Sequence, residues 1–145
     1  MTRAARILLD TDVLLDVALD RAPHVDAAAA LLDHLEQHPG VGFMAWHTVS
    51  NFYYLVVPRH GRDETRNLLL DLSRFVEVAA TDTESLRVAG RLPMSDFEDA
   101  MQVAAAQACA ADIIATRNTR DFRASPVKAR TPKQVLEQLY PSGSR

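Results

Sequence analysis

Residues 6–10, Arg-Ile-Leu-Leu-Asp, make a continuous apolar run stopped by a polar residue, the pattern of a short strand buried on both faces. Asp12 can then cap a helix reaching about Leu19. Pro23 opens a second helix, with Val25, Ala28, Ala29, Leu32 and Leu35 at helical spacing, that ends by Pro39-Gly40. Val41–Ala45 reads as a second strand. Thr48–Val57 has the β-branched and aromatic content of a strand but the length of a helix stopping at Pro58, and helix is the assignment adopted. Leu68, Leu69, Leu72 and Phe75 place a helix over 62–75, followed by a strand at 76–79 and a helix from Asp82 to Leu92. Ser95 and Glu98 have the form of a capping box, opening a helix to about Ala111 whose interior polar residues are Gln102 and Gln107. So apolar a helix belongs at the centre, covered on most sides. Asp112–Thr116 and Pro126–Ala129 read as strands, and Pro132–Leu139 as a last helix with proline in its first turn. Alternating strands and helices predict an α/β fold, a parallel sheet between two helical layers.

That architecture makes the position of each acid informative, because ligands of such sheets bind beyond the carboxyl ends of the strands. Asp10 ends the first strand, and the strand ending at Thr116 delivers Arg117, Asn118 and Asp121 to the same edge. Asp96 and Asp99 fall in the first turn of the central helix, three apart and on one face. Carboxylates converging from distant segments repel and raise one another's pKa unless a cation sits among them. An all-oxygen set selects a hard ion, Mg²⁺ or Mn²⁺. Asp12 and Glu98 read as capping or supporting acids, and Asp112 begins a strand and so lies at the opposite edge. The histidines at 24, 34, 38, 47 and 60 show no metal-ligand spacing. Cys109 reads as a small core residue, and Trp46, Tyr53 and Tyr54 as packing residues.

Composition narrows the classes. At 145 residues, 48% hydrophobic and 24% charged, the chain has the make-up of one globular domain, expected over 1–140 with a flexible tail at 141–145. A single cysteine excludes a disulfide framework and suits a reducing cytoplasm, and no apolar run is long enough for a membrane span. Six per cent aromatic is too little for a stacking-rich single-strand binder. The net charge of −3 argues against bulk attraction to nucleic acid, yet Arg117, Arg120, Arg123, Lys128, Arg130 and Lys133 cluster against one acid, Asp121.

Three segments together resemble a known family. Leu8-Leu-Asp10-Thr-Asp-Val is similar to the first motif of PIN-domain ribonucleases. Asp96-Phe-Glu-Asp99-Ala-Met-Gln-Val-Ala-Ala-Ala resembles the third, and Ala111-Asp-Ile-Ile-Ala-Thr116-Arg-Asn118-Thr-Arg-Asp121-Phe122 the closing strand and loop. The resemblance implies a three-layer α/β/α sandwich, usually dimeric. Asp10 and Asp99 would be the principal Mg²⁺ (or Mn²⁺) ligands, with Asp96 and Asp121 supporting the metal or its waters. The size is similar to that of the VapC toxin type, which would hydrolyse RNA by in-line attack of water and be silenced by a VapB-like antitoxin inserting into the active-site groove. Arg117 and Arg120 are the candidates for gripping the RNA backbone. Two departures stand out: Asn51 lies where many members carry a glutamate, and Asn118 where a fourth acid often follows Thr-Arg. Asparagine offers a carbonyl but no charge, so a weaker or single-metal site is expected. A degenerate, non-catalytic RNA- or protein-binding module is the alternative. Leu9-Asp-Thr-Asp12 also resembles the opening of haloacid-dehalogenase-like phosphatases, a minor alternative, because here the paired acids precede the second motif and the only lysines are Lys128 and Lys133.

Overall fold

The computed structural model describes residues 3–142, so the end of the expected tail, 143–145, lies outside the described residues. In chain order the elements are β1 (Ile7–Leu9), α1 (Thr11–Ala18), α2 (Val25–Gln37), β2 (Gly42–Met44), α3 (Trp46–His60), α4 (Arg62–Leu72), β3 (Val76–Val78), α5 (Thr83–Arg91), α6 (Phe97–Ala108), β4 (Ile113–Ala115), a 3-10 turn (Thr119–Phe122), β5 (Lys128–Arg130) and α7 (Pro132–Leu139). The five strands form one sheet in the order β3-β2-β1-β4-β5, with every pairing parallel.

Strand alternation divides the core in two. Ile7, Leu9, Met44, Val76, Ile113 and Ala115 face a layer containing α1, α2, α3 and α7, where they meet Leu14, Leu31, Leu35, Phe52 and Val135. Leu8, Phe43 and Ile114 face the other way, onto Val103, Ala105 and Ala106 of α6. The result is the three-layer α/β/α sandwich. Its alanine-rich helix α6 is central as expected, lying on β1 and β4 with α5 packed beside it. The chain winds outward from β1 to β2 and β3, then returns to the other side of β1 as β4. That reversal opens a crevice at the carboxyl ends of β1 and β4, the switch point at which such sheets bind ligands.

Several boundaries differ from the sequence reading, each for a local reason. Helix α3 begins at Trp46 and continues past Pro58. The proline sits in the last turn, where its missing N–H removes one bond, and the helix ends at Gly61. Gly61 adopts φ 83°, and its amide reaches the Val57 carbonyl at 2.8 Å. Asp10, not Asp12, caps α1. Asp96, not Ser95, caps α6, its carboxylate accepting from the Asp99 amide at 3.0 Å. That helix stops at Ala108 because Ala110 turns left-handed, with φ 55°. Helix α4 ends at Leu72 and β5 begins at Lys128, after the Ser125 hydroxyl has bonded both the amide and the carbonyl of Val127. Trp46 and Tyr54 are 66% and 72% exposed, so they are surface residues rather than packing residues. Among the described residues, no helix is long and apolar enough to cross a membrane.

Gly42 in β2 is the tightest point between sheet and helix. A Cβ there would lie 3.0 and 3.2 Å from the two methyls of fully buried Leu35. Gly42→Val is expected to destabilise the fold by about 1–3 kcal/mol through overpacking, despite valine's preference for strands. Urea denaturation measures this, and unchanged stability would mean that Leu35 can move aside.

Candidate active site at the carboxyl edge of the sheet

The crevice is built from the ends of β1 and β4. The backbone at Asp10 leaves β1 still paired, its amide donating to the Ala115 carbonyl at 2.9 Å, and then turns into α1. One Asp10 carboxylate oxygen accepts from the Thr11 amide at 2.8 Å, and the other accepts from the Thr116 hydroxyl, also at 2.8 Å. The side chain is thereby locked in place while almost fully buried. Asp12, in the first turn of α1, accepts from the Arg117 amide at 3.2 Å and from the Asn118 side-chain amide at 3.1 Å. Its other oxygen is buried without a partner. Asp16, one turn further, accepts from Arg117 Nε at 2.7 Å and lies 3.7 Å from Arg21. Helix α1 with its cap thus presents three acids, and Asp12 and Asp16, four apart and on one face, fasten the segment after β4.

The second group of acids comes from α6. Asp96, Glu98 and Asp99 each offer an oxygen, and these oxygens lie within 4.8 Å of one another. Glu98 accepts from His47 Nε2 at 2.6 Å and from Gln102 Nε2 at 3.0 Å. Gln102, fully buried, also donates to the Thr48 hydroxyl at 3.0 Å, while the Thr11 and Thr48 hydroxyls are 2.9 Å apart. This relay ties the first turns of α1, α3 and α6 together. The Gln102 carbonyl oxygen within it has no partner.

Electrostatics connects the two groups. Burial, then the charges of Asp12 and Glu98, push the Asp10 pKa up to about 8, against the opposing hydrogen bond from Thr116. Burial and then the charges of Asp96, Glu98 and Asp121 raise Asp99 to about 7. Asp12 is raised by burial too, offset by the amide and the charge of Arg117. Glu98 is the acid whose field reaches both Asp10 and Asp99.

Sequence-predicted residues therefore fall into distinct positions. Asp10, Asp96 and Asp99 lie in or beside the crevice, and Asp121, exposed in the 3-10 turn, contributes its charge to Asp99. Asn118 serves Asp12 rather than standing free. Asn51, on α3 one turn after His47, makes no side-chain hydrogen bond among the described residues. Arg117 is committed to Asp16, whereas Arg120 is exposed. Sequence reasoning did not place His47, Gln102 or Glu98 in the site. The available signal was a glutamine four residues after a glutamate on an otherwise apolar helix. Asp112 lies at the opposite edge as expected, accepting from Arg3 and from the Arg6 amide.

Comparison with known proteins bears on the fold and the family. No curated protein matches the sequence. Among solved structures, VapBC2 from Rickettsia felis bound to a DNA fragment from its promoter aligns at TM-score 0.65 and 15% identity, covering 86% of this chain and 97% of that one. DNA-bound VapBC from Salmonella typhimurium aligns at TM-score 0.67 and 14% identity, covering 89% and 99%. FitAB bound to an IR36 DNA fragment aligns at TM-score 0.63 and 21% identity, covering 87% and 94%. At these identities the likeness is one of fold. The PIN domain family matches residues 6–120, from the base of β1 into the 3-10 turn that carries Asp121, and the chain belongs to that family.

Proposed function

We propose that this protein is a metal-dependent nuclease that hydrolyses RNA phosphodiester bonds, the toxin of a VapBC-type pair. The observation that carries the reading is the gathering of Asp96, Glu98 and Asp99 within 4.8 Å at the switch-point crevice, with Asp10 in the field of Glu98 and, among the described residues, no basic side chain paired with Asp10 or Asp99. An all-oxygen donor set of this kind fits Mg²⁺ or Mn²⁺, and the raised pKa values of Asp10 and Asp99 are those of carboxylates awaiting a cation. Asp10, Glu98 and Asp99 would hold the ion, with Asp96 and Asp121 supporting it. When bound, such an ion polarises a phosphoryl oxygen and lowers the pKa of water.

The chain's own residues do the positioning. Thr116 fixes the Asp10 carboxylate, and His47 with Gln102 fixes that of Glu98, so neither must be ordered when substrate arrives. The cap at Asp96 aims the Asp99 backbone. With Arg117 held by Asp16, Arg120 is the freer of the two predicted contacts to the RNA backbone. The solved neighbours are VapBC and FitAB assemblies, which supports a VapB-like antitoxin as partner. A homodimer acting in the cytoplasm completes the proposal.

Asp10→Asn and Asp99→Asn should each lower RNA cleavage in Mg²⁺ or Mn²⁺ by more than about 100-fold. Both should retain the thermal midpoint of the metal-free protein, because asparagine resembles the protonated acid. Full activity in both variants would refute the mechanism. Glu98→Gln preserves the shape of the hydrogen-bonded side chain but removes its charge. Titration calorimetry with Mn²⁺ should show about 10–100-fold weaker binding, and unaltered affinity would exclude Glu98 as a ligand.

Proton linkage offers an independent check. The folded pKa values, about 8 for Asp10 and about 7 for Asp99, lie above the ordinary 3.8. The folded state therefore holds protons that the unfolded chain has released. The associated stability is complete below pH 3.8 and is lost as pH rises through about 7 and about 8. The metal-free protein should melt at lower temperature as pH climbs through this window, and Mn²⁺ should raise the midpoint most at the alkaline end. An Asp10→Asn/Asp99→Asn double variant with the wild-type pH dependence would contradict the assignment.

A further inference from the structure

Beside the 3-10 turn lies an open polar groove of about 540 Å³ bounded by β5 and the start of α7. Arg120, Arg123, Lys128 and Arg130 line it, together with Ser125 and Gln134. Among the described residues none of these four cations makes an ion pair. Elsewhere Arg3, Arg21, Arg74, Arg91 and Arg117 each have a carboxylate within reach. The other described cations that make no ion pair do not line this groove; what sets it apart is that four unpaired cations line it together. Four unpaired like charges around one groove repel one another and concentrate counter-anions. An acidic protein that leaves such a patch uncompensated has kept it for an anion.

The location says which anion. The last residue of β5, Arg130, is paired with Ala115, and its carbonyl accepts from the Thr116 amide at 2.9 Å. The hydroxyl of that same Thr116 holds Asp10. Within the 3-10 turn, Arg120 lines the groove while the charge of its neighbour Asp121 acts on Asp99. The groove therefore begins where the crevice ends. The one aromatic residue on its wall, Phe122, is 3% exposed and offers no stacking face. Guanidinium forks match phosphate oxygens bidentately, and contacts to phosphate position a strand without reading its sequence.

We infer that this groove is a phosphate track for single-stranded RNA, holding the part of the strand that continues beyond the bond presented to Asp10 and Asp99. The inference rests on the nuclease reading above. It makes recognition on this side independent of base sequence, so any sequence preference must arise elsewhere in the crevice.

The test uses the whole chain without metal in EDTA, with fluorescence anisotropy of a short labelled single-stranded RNA read across a salt series. Arg123→Ala combined with Lys128→Ala should weaken binding at low salt for every RNA sequence alike. The slope of log affinity against log salt should fall by about 1.4, roughly 0.7 for each phosphate charge no longer neutralised. Both side chains are exposed, so the thermal midpoint should stay put; should the double variant melt early, each single variant carries the same test at half the slope change. Cleavage of a dinucleotide, too short to enter the groove, should be unchanged in Mn²⁺. Unaltered RNA binding and slope in the variants would overturn the track while leaving the nuclease reading intact, provided the dinucleotide is cut. Failure of the wild-type protein to cut any RNA would instead defeat the nuclease reading, and the track with it. Binding of poly-glutamate that the variants lose, with RNA binding untouched, would overturn the track in favour of an acidic protein segment.

Discussion

The hydroxyl of Thr116 is the point on which this site depends. It donates to Asp10 at 2.8 Å and lies 3.4 Å from Asp12, so one small side chain at the end of β4 stands between two acids at the end of β1. The parallel pairing of Leu9 with Ala115 brings these residues level, and the switch point leaves the space above them open. Burying a carboxylate here would be costly were it not also a helix cap. Asp10 occupies the N-terminus of α1 and Asp96 that of α6, where unpaired amides and the helix dipole favour negative charge. The fold thus aims two helix N-termini at one crevice and fills it with acids, yet burial, and after it the repulsion among those acids, still raises Asp10 and Asp99.

How each acid is compensated separates the acids that hold the chain from those proposed to hold the metal. Asp16 is buried but matched by Arg117, and Asp12 accepts from the Arg117 amide and Asn118. Both are spent on holding the chain that follows β4. Asp10 and Asp99 have no such cation, and the hydrogen bonds from Thr11 and Thr116 only orient Asp10. Asp10, Asp12 and Asp16 all belong to α1 or its cap, so spacing alone does not distinguish them; the partner does. The same criterion distinguishes the arginines, since Arg117 is consumed by Asp16 while Arg120 and Arg123 are not.

Legibility in the sequence follows the range of the forces involved. The five strands, the parallel sheet and the centrality of the alanine-rich helix are set by local periodicity, and the structure has them. Helix ends moved by a few residues wherever two cap candidates competed, as at Ser95 and Asp96, because a single chain does not reveal which of two neighbouring side chains reaches the amide. Asp10, Asp96 and Asp99 were visible as acids at strand and helix ends. The His47–Glu98–Gln102 relay was not, since it exists only once the sheet has brought the first turns of α3 and α6 together at its edge, joining residues 51 positions apart. Trp46 and Tyr54 were misplaced for the opposite reason: aromatic size suggested packing, while helix phase turned them outward.

The two asparagines that depart from the family pattern are better explained as redistribution than as decay. An acid at position 118 would stand against Asp12, whose other oxygen is already buried without a partner. The amide of Asn118 turns that repulsion into a hydrogen bond and leaves the loop in place. At position 51 the helix following β2 carries asparagine in place of the acid that the family resemblance implies, but one turn earlier the same helix carries His47, which clamps Glu98 from across the crevice. The negative charge expected from α3 is therefore delivered from α6, within reach of both Asp10 and Asp99. On the proposed reading, Gln102 holds that carboxylate and the Thr48 hydroxyl orients Gln102, with a polar atom left unsatisfied as the cost.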